Sequence, residues 1–179
     1  MGRMIVSAQM TIDGVMDSLE GWFVQEGDHD DRGFEQLLAA DAVVLGRETY
    51  ESLREYWTTV TDDRIADHFN PIRKHIASRT LTGELGWNST VIEGDVADAV
   101  ARLREELDGD LLMYGCGGLA RYLVGRGVVD EVRLWVHPVV WGDGVRVFHG
   151  GDPVRMRVID VTAFDSGVTL VRYQPKGAA

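Results

Sequence analysis

What this sequence has little of already excludes several kinds of protein. It holds one cysteine, Cys116, so no disulfide can close within the chain. Basic residues are in deficit, 18 Lys and Arg against 29 Asp and Glu, and the formal charge of -11 repels nucleic acid and anionic membrane surfaces. A polyanionic ligand must then be caught by local geometry rather than long-range attraction. No apolar run approaches the roughly 20 residues of a membrane span. The five histidines, His29, His68, His75, His137 and His149, show no short ligand spacing, so no metal site is expected. The start, Met1-Gly2-Arg3-Met4, leads straight into an apolar segment of strand length without a small-residue cleavage site, and the sixth position lacks the Ser or Thr of a myristoylation pattern. Together these shortages predict a cytoplasmic protein.

What is present is a chain of 179 residues, 45% hydrophobic, the usual size of one domain. A single domain over 1–179 is expected, burying roughly 70% of the surface of its unfolded chain. Met4 to Met10 reads as a buried strand closed by the turn Asp13-Gly14. An acidic connection from Asp17 to Asp31 follows, and Phe34, Leu37 and Leu38 mark a first helix that ends before Asp41. Ala42 to Leu45 is a short strand, and Gly46 opens a helix from Arg47 to Leu53. Pro71 separates an amphipathic stretch, Arg64 to Phe69, from strands at Lys74 to Ser78 and Thr90 to Ile92. The clearest helix is capped by Asp95, with Asp98 in its first turn and Val96, Val100, Leu103 and Leu107 on one face. Leu111 to Tyr114 forms a strand, the turn Gly115-Cys116-Gly117-Gly118 follows, and a helix runs from Leu119 to Val124. Strands at Val132 to Val140, Met156 to Val161 and Val168 to Tyr173 close the chain, the last two suited to a hairpin. Strands alternating with helices, then a run of strands, predict a mixed, mostly parallel α/β sheet with an antiparallel C-terminal edge.

The arrangement strand, glycine, helix occurs twice, at Gly46 and at Gly115 to Gly118. In open α/β sheets ligands sit beyond the carboxyl ends of the strands, where helix N-termini present unpaired N–H groups and partial positive charge. Glycine allows close backbone approach, and Arg47 adds a permanently charged fork suited to phosphate. Glycines also simply end strands, but two such turns favour a ligand with several phosphates. Gly115 to Ala120 formally fits G-x-G-x-x-G/A, yet the strand Val132 to Val140 ends without the carboxylate a Rossmann fold places on the ribose, so that fold is disfavoured.

Ala42-Val43-Val44-Leu45-Gly46-Arg47-Glu48-Thr49-Tyr50-Glu51 resembles the strand and helix start of dihydrofolate reductases. Ser7 to Met16 with Ile12-Asp13-Gly14, Ile76 to Leu81, and the second glycine turn followed by Val128 to Leu134 agree in the same order. The Asp13-Gly14 turn, Val129-Asp130-Glu131-Val132-Arg133-Leu134, Pro138, Gly142 and Gly144 look closer still to the reductase domain of bacterial bifunctional riboflavin-biosynthesis deaminase-reductases. The chain is most similar to stand-alone members of that domain family, and no deaminase signature is present. The resemblance implies a dihydrofolate reductase-like fold and NADPH as cofactor. Gly46, Arg47 and Thr49 would hold its pyrophosphate and adenosine side, and Ser78 and Arg79 would lie by the adenine ribose and 2'-phosphate. Ala8 would turn its backbone to the nicotinamide, and Gly115, Cys116, Gly117, Gly118 and Leu119 would form the second cofactor turn. Many relatives have Gly-Gly, sometimes cis, where this chain has Gly115-Cys116. Relatives also commonly form homodimers through the late strands.

The implied activity is that of a 5-amino-6-(5-phosphoribosylamino)uracil reductase; the alternatives are a dihydrofolate, other dihydropteridine or small-carbonyl reductase, and an NADPH-binding protein of the same fold without turnover. No catalytic acid is assigned. Asp30 and Asp31 lie nearest to the acid that dihydrofolate reductases carry on the first helix, although a run with Asp28 and Glu35 also reads as a solvated helix start. Asp13 either meets substrate or shapes the first loop, and Trp22 either covers a flat heterocycle or packs in the core. Cys116 as a nucleophile lacks a histidine that sequence can pair with it. Trp57, Trp135 and Trp141 read as a sheet face or subunit interface. A phosphorylated sugar would require a basic cluster near the first loop, which Arg32 alone could begin.

Overall fold

The computed structural model describes residues 1–24 and 27–176. Residues 25 and 26 of the acidic connection and 177–179 of the expected single domain lie outside the described residues. The elements are β1 (Met4–Thr11), α1 (Leu19–Trp22), α2 (Asp28–Leu38), β2 (Ala40–Gly46), α3 (Arg47–Trp57), α4 (Arg64–Phe69), β3 (Arg73–Ala77), β4 (Ser89–Val91), α5 (Val96–Glu106), β5 (Asp110–Tyr114), α6 (Gly118–Gly125), β6 (Glu131–His137), β7 (Met156–Ala163) and β8 (Thr169–Pro175). Chain contacts divide them into two compact units. The first comprises Met1–Met4 and Phe34–Tyr114, the second Ile5–Gly33 and Gly115–Ala179.

The first unit is a parallel sheet in the order β4-β3-β2-β5. Ala42 to Leu45 of β2 and Leu111 to Met113 of β5 are buried without alternation, as strands covered on both faces require. α4 and α5 begin on aspartates whose carboxylates accept backbone N–H groups: Asp63 from Ile65 and Ala66, and Asp95 from Ala97 and Asp98. The expected cap at Asp95 is thus present, while Leu107 falls just past the helix and the buried face runs through Ala97, Ala99 and Val100. Buried Lys74 on β3 donates to the carbonyls of Phe69, Asn70 and Ile72 at 2.7, 3.0 and 2.8 Å, with Nζ 4.1 Å from the Trp87 ring centroid.

The second unit orders its strands β1-β6-β8-β7, with β1 parallel to β6 and β6, β8 and β7 antiparallel. The expected hairpin is β7 with β8. β6 is shorter than the sequence pattern implies, stopping at His137 because Pro138 has no N–H to continue the ladder. The acidic connection is less open than expected: it contains α1, and α2 starts at Asp28, six residues before Phe34. Gly33 interrupts the apolar periodicity there, while Asp28, Asp30 and Asp31 favour the positive end of the helix. Of the three tryptophans read as a sheet face, only Trp135 lies on a strand. It is buried with Val168 and Leu170 and donates Nε1–H to Ser7 Oγ at 3.0 Å, so it is core. Trp57 ends α3 against Phe69, and Trp141 lies in a loop against Gly21.

Among the described residues no helix is long and apolar enough to cross a membrane. Parallel strand pairs outnumber antiparallel ones, and the antiparallel edge is C-terminal, which is the α/β class the sequence predicts.

Candidate functional site

In the first unit, β2 runs into α3 without a spacer. Gly46 is the N-cap residue at φ -71° and ψ 159°, a conformation open to any residue, and no side chain caps the helix. The first-turn N–H groups of α3 are therefore without the side-chain acceptor that Asp63 and Asp95 give α4 and α5. Arg47 is exposed; its Nη1 donates to Thr80 Oγ1 at 3.0 Å and its Nε lies 3.7 Å from Glu51. Thr49 is half-buried one turn along. Ser78 Oγ accepts the N–H groups of Thr80 and Leu81 at 3.2 and 3.0 Å, which folds the chain after β3 and leaves Arg79 exposed. The Arg47–Thr80 bond ties this fold to α3, so Arg47, Ser78 and Arg79 belong to one surface of the first unit.

In the second unit, Gly115 has φ +92°, a region that a side chain would strain, and its N–H donates to the Ser7 carbonyl at 2.9 Å. Cys116 is buried, its carbonyl accepts the Phe148 N–H at 2.7 Å, and burial pushes its thiol up to about 12, which removes it as a thiolate nucleophile. Among the described residues no peptide bond is cis, so Gly115-Cys116 is trans. Gly117 is the N-cap of α6, again without a side-chain cap. A Cβ on Gly118 would meet nothing within 4 Å, and one on Gly117 only the Met16 methyl at 3.6 Å. Gly118 thus leaves an open approach to the backbone, while the Met16 methyl stands over Gly117. Leu119 is half-buried behind them, and Ala8 is buried on β1.

The remaining sequence candidates divide differently. Asp13 accepts from Thr11 Oγ1 at 2.7 Å and from the N–H groups of Trp141 and Gly142 at 3.0 and 2.8 Å, which together hold its carboxyl well below the usual carboxylate range. Arg146 donates to the Asp13 carbonyl and lies 3.6 Å from its carboxylate. Asp13 therefore joins the first loop to residues 141–146. Trp22 is buried and donates Nε1–H to the Asp17 carbonyl at 2.7 Å, a packing position. Asp30 accepts the Gly27 N–H at 3.1 Å at the start of α2, and Asp28 receives the N–H groups of Asp165 and Ser166.

Sequence reasoning missed a polar cluster at the carboxyl ends of β1 and β6. Buried His137 accepts the Val24 N–H at Nδ1, 3.1 Å away, and its Nε2 lies 2.7 Å from Gln9 Oε1. The rings of Trp22 and Phe23 stand 5.2 and 4.8 Å from it, and that of His29 6.0 Å. The only signal in the sequence was a histidine and a glutamine on separate apolar strands, 128 positions apart.

A mostly parallel α/β sheet with an antiparallel edge, and glycine turns feeding uncapped helices, define a protein of the dihydrofolate reductase-like class. The chain belongs to the RibD C-terminal domain family, whose pattern it matches over residues 3–170. It is 26% identical over 184 residues to the uncharacterized protein YyaP of Bacillus subtilis (strain 168), covering 98% of this chain and 96% of YyaP. Among solved structures it is similar to a putative riboflavin biosynthesis protein from Shewanella sp. PV-4, with TM-score 0.77, 19% identity, and 97% and 99% of the two chains covered. It is also similar to a pyrimidine reductase-like protein from Corynebacterium diphtheriae, with TM-score 0.69, 15% identity, and 99% and 93% covered. A third likeness is to the Thermotoga maritima diaminohydroxyphosphoribosylaminopyrimidine deaminase/5-amino-6-(5-phosphoribosylamino)uracil reductase. There the TM-score is 0.68 and identity 16%, with 98% of this chain but 57% of that protein covered. These structural likenesses give the fold, and the family supports a reductase-like function.

Proposed function

We propose that this protein is a cytoplasmic NADPH-dependent reductase of a pyrimidine-type heterocycle, the class of compound named for the reductase activity of the Thermotoga maritima relative. The observation that carries the reading is the contrast between helix starts. α4 and α5 satisfy their first N–H groups with aspartates, whereas α3, which opens at the strand-end Gly46, and α6, whose N-cap is Gly117, present theirs without a side-chain acceptor. Such starts suit anionic oxygens.

The residues present fit NADPH. In the first unit, Gly46, Arg47 and Thr49 would bind its phosphate side, with Ser78 and exposed Arg79 toward the 2'-phosphate. In the second, Ala8 and the turn 115–119 would face the nicotinamide side, where the open space above Gly118 admits a ligand to the backbone. When bound, NADPH supplies the hydride; the chain's task is to orient it and to keep water from the reacting carbons. Fluorescence titration with NADPH and NADH tests the reading, with NADPH expected to bind more tightly; failure to bind either sinks it. Arg47→Ala should weaken NADPH by about 1.5 to 3 kcal/mol if Arg47 makes a charge-assisted phosphate contact. Unchanged affinity would remove Arg47 from the site.

One observation favours a second reading, a substrate without phosphate. Arg146 is the arginine held at the first loop, and it is bound to Asp13 and to the Gly142 carbonyl. Loss of NADPH absorbance with phosphorylated and unphosphorylated pyrimidine ribosides, dihydropteridines and small carbonyl compounds separates the two. We further propose that two copies pair through β7 and β8, where Val158, Ile159 and Val161 are 52%, 40% and 57% exposed. Light scattering at micromolar concentration tests this; a monomeric mass would refute it.

A further inference from the structure

Gln9 is fixed more tightly than a partly exposed amide at a strand end needs to be. It shares a face of the sheet with Trp135 and His137, since Gln9 pairs with Trp135 and Thr11 with His137 across β1 and β6. The Val24 backbone N–H can only donate, so the His137 Nδ1 it points to, 3.1 Å away, carries the lone pair. In a neutral imidazole the hydrogen is then on Nε2, and the atom facing it at 2.7 Å must be an acceptor, the oxygen of Gln9. Neutrality follows from the surroundings: burial, and then the nearby His29, pull His137 down to about 4.

The orientation of the Gln9 amide is thereby set by logic that runs from one backbone N–H through one ring. Its oxygen is committed to His137, and its NH2 group must point the other way. Among the described residues that nitrogen has no hydrogen-bond partner, and the side chain is partly exposed. Gln9 also follows Ala8 at the carboxyl end of β1, where ligands of open α/β sheets sit. The half-buried ring of Phe23 flanks His137, the ring that fixes the amide.

We propose that Gln9 is a recognition residue for the heterocyclic substrate, its orientation-locked NH2 group donating to a carbonyl oxygen of the ring, so that the site accepts an acceptor edge and rejects an exocyclic amine. The inference rests on the reductase reading above and adds the polarity of the substrate edge. A hydrogen-bonding site left facing the wrong polarity discriminates strongly, because a buried donor would meet a donor. His137 is the positioning residue.

The test uses the full-length protein saturated with NADP+, with two probes: a 2,4-dioxopyrimidine nucleoside, whose exocyclic groups accept, and its 2,4-diamino counterpart, whose groups donate. Calorimetric titration should show the dioxo probe preferred by about tenfold or more. Gln9→Leu should erase the preference, and Gln9→Glu, which places an acceptor where the donors were, should invert it; if the Glu variant does not fold, the Leu variant carries the same comparison. A purely structural role for Gln9 would alter stability but leave the ratio of the two affinities unmoved. Absence of preference in the wild type, or a ratio that survives both substitutions, would overturn the assignment of Gln9 while leaving the reductase reading intact, and binding of neither probe would overturn it together with the pyrimidine substrate class. Failure of NADP+ and NADPH themselves to bind would count against that reading instead.

Discussion

Lys74 is a charge placed where charges are costly. Burial pulls its ammonium down to about 8, so it is still protonated at neutral pH, and three main-chain carbonyls and the Trp87 ring receive it. Those carbonyls run from the last residue of α4 toward β3, so a single side chain closes the connection between the two. Lys74→Met would keep the aliphatic stem but strand three acceptors, and we expect a loss of about 3 kcal/mol, seen as a lower urea midpoint with an unchanged slope. An unchanged midpoint would mean that water replaces the ammonium without cost. Nothing in the sequence marked this lysine, because a period-2 pattern does not say which face of a buried strand is dry. Gln9 and His137 were equally hidden, since their meeting depends on the register of two strands far apart in the chain. Ser78, by contrast, bonds within three residues of its own turn, a local pattern that the sequence can display.

At the level of elements, the two glycine turns differ in what their glycines do. Gly115 has a positive φ and is required by the backbone, while Gly118 is an exposed helical residue with open space where a Cβ would be. A residue that neither strain nor crowding demands costs the free protein stability, because glycine is a poor helix former. Gly118→Ala should therefore raise stability by about 0.5 kcal/mol and weaken NADPH at the same time, measured by thermal melting with and without cofactor. A variant that is stabilised and binds NADPH unchanged would make Gly118 an ordinary helix start. Most elements were legible from apolar runs and turn residues. An early glycine and a polar first turn mask the start of α2, and Val139 and Val140 continue the apolar pattern of β6 beyond Pro138, where the ladder cannot follow.

For the molecule as a whole, stability should fall in two steps as pH is lowered. His137 ordinarily titrates near 6.5 and is held at about 4, so between those values the unfolded chain takes up a proton that the folded one refuses. Stability is complete above about 6.5 and declines toward pH 4, by about 3 kcal/mol over the full window. His75, pulled down by burial, acts in the same direction. Glu131 behaves oppositely in chemistry but not in outcome. Burial raises it, yet bonds from Arg172 and Arg133 bring it from 4.5 to about 2, so its contribution is present above pH 4.5 and is lost below. In His137→Gln, whose amide can accept from Val24 and donate to Gln9, the upper step should shrink while the lower one stays. Melting curves from pH 7 to pH 3 check this, and an upper step of unchanged size would remove His137 as its source.

The division of the chain also has a consequence for synthesis. Nearly all of the first unit lies in one stretch, Phe34–Tyr114, whereas the second joins residues before and after it. As the chain leaves the ribosome, β2 to β5 are complete while β1 still waits for β6, whose Glu131 is the partner of Ile5. Long waits for distant partners slow folding and leave strand edges open to wrong pairing. The edge of β1 that pairs with β6 thus stays without that partner until residues 131–137 have been made. A chaperone that binds extended apolar segments should therefore contact residues 4–11 in ribosome-bound chains stalled before position 131, and release them in chains stalled well beyond it.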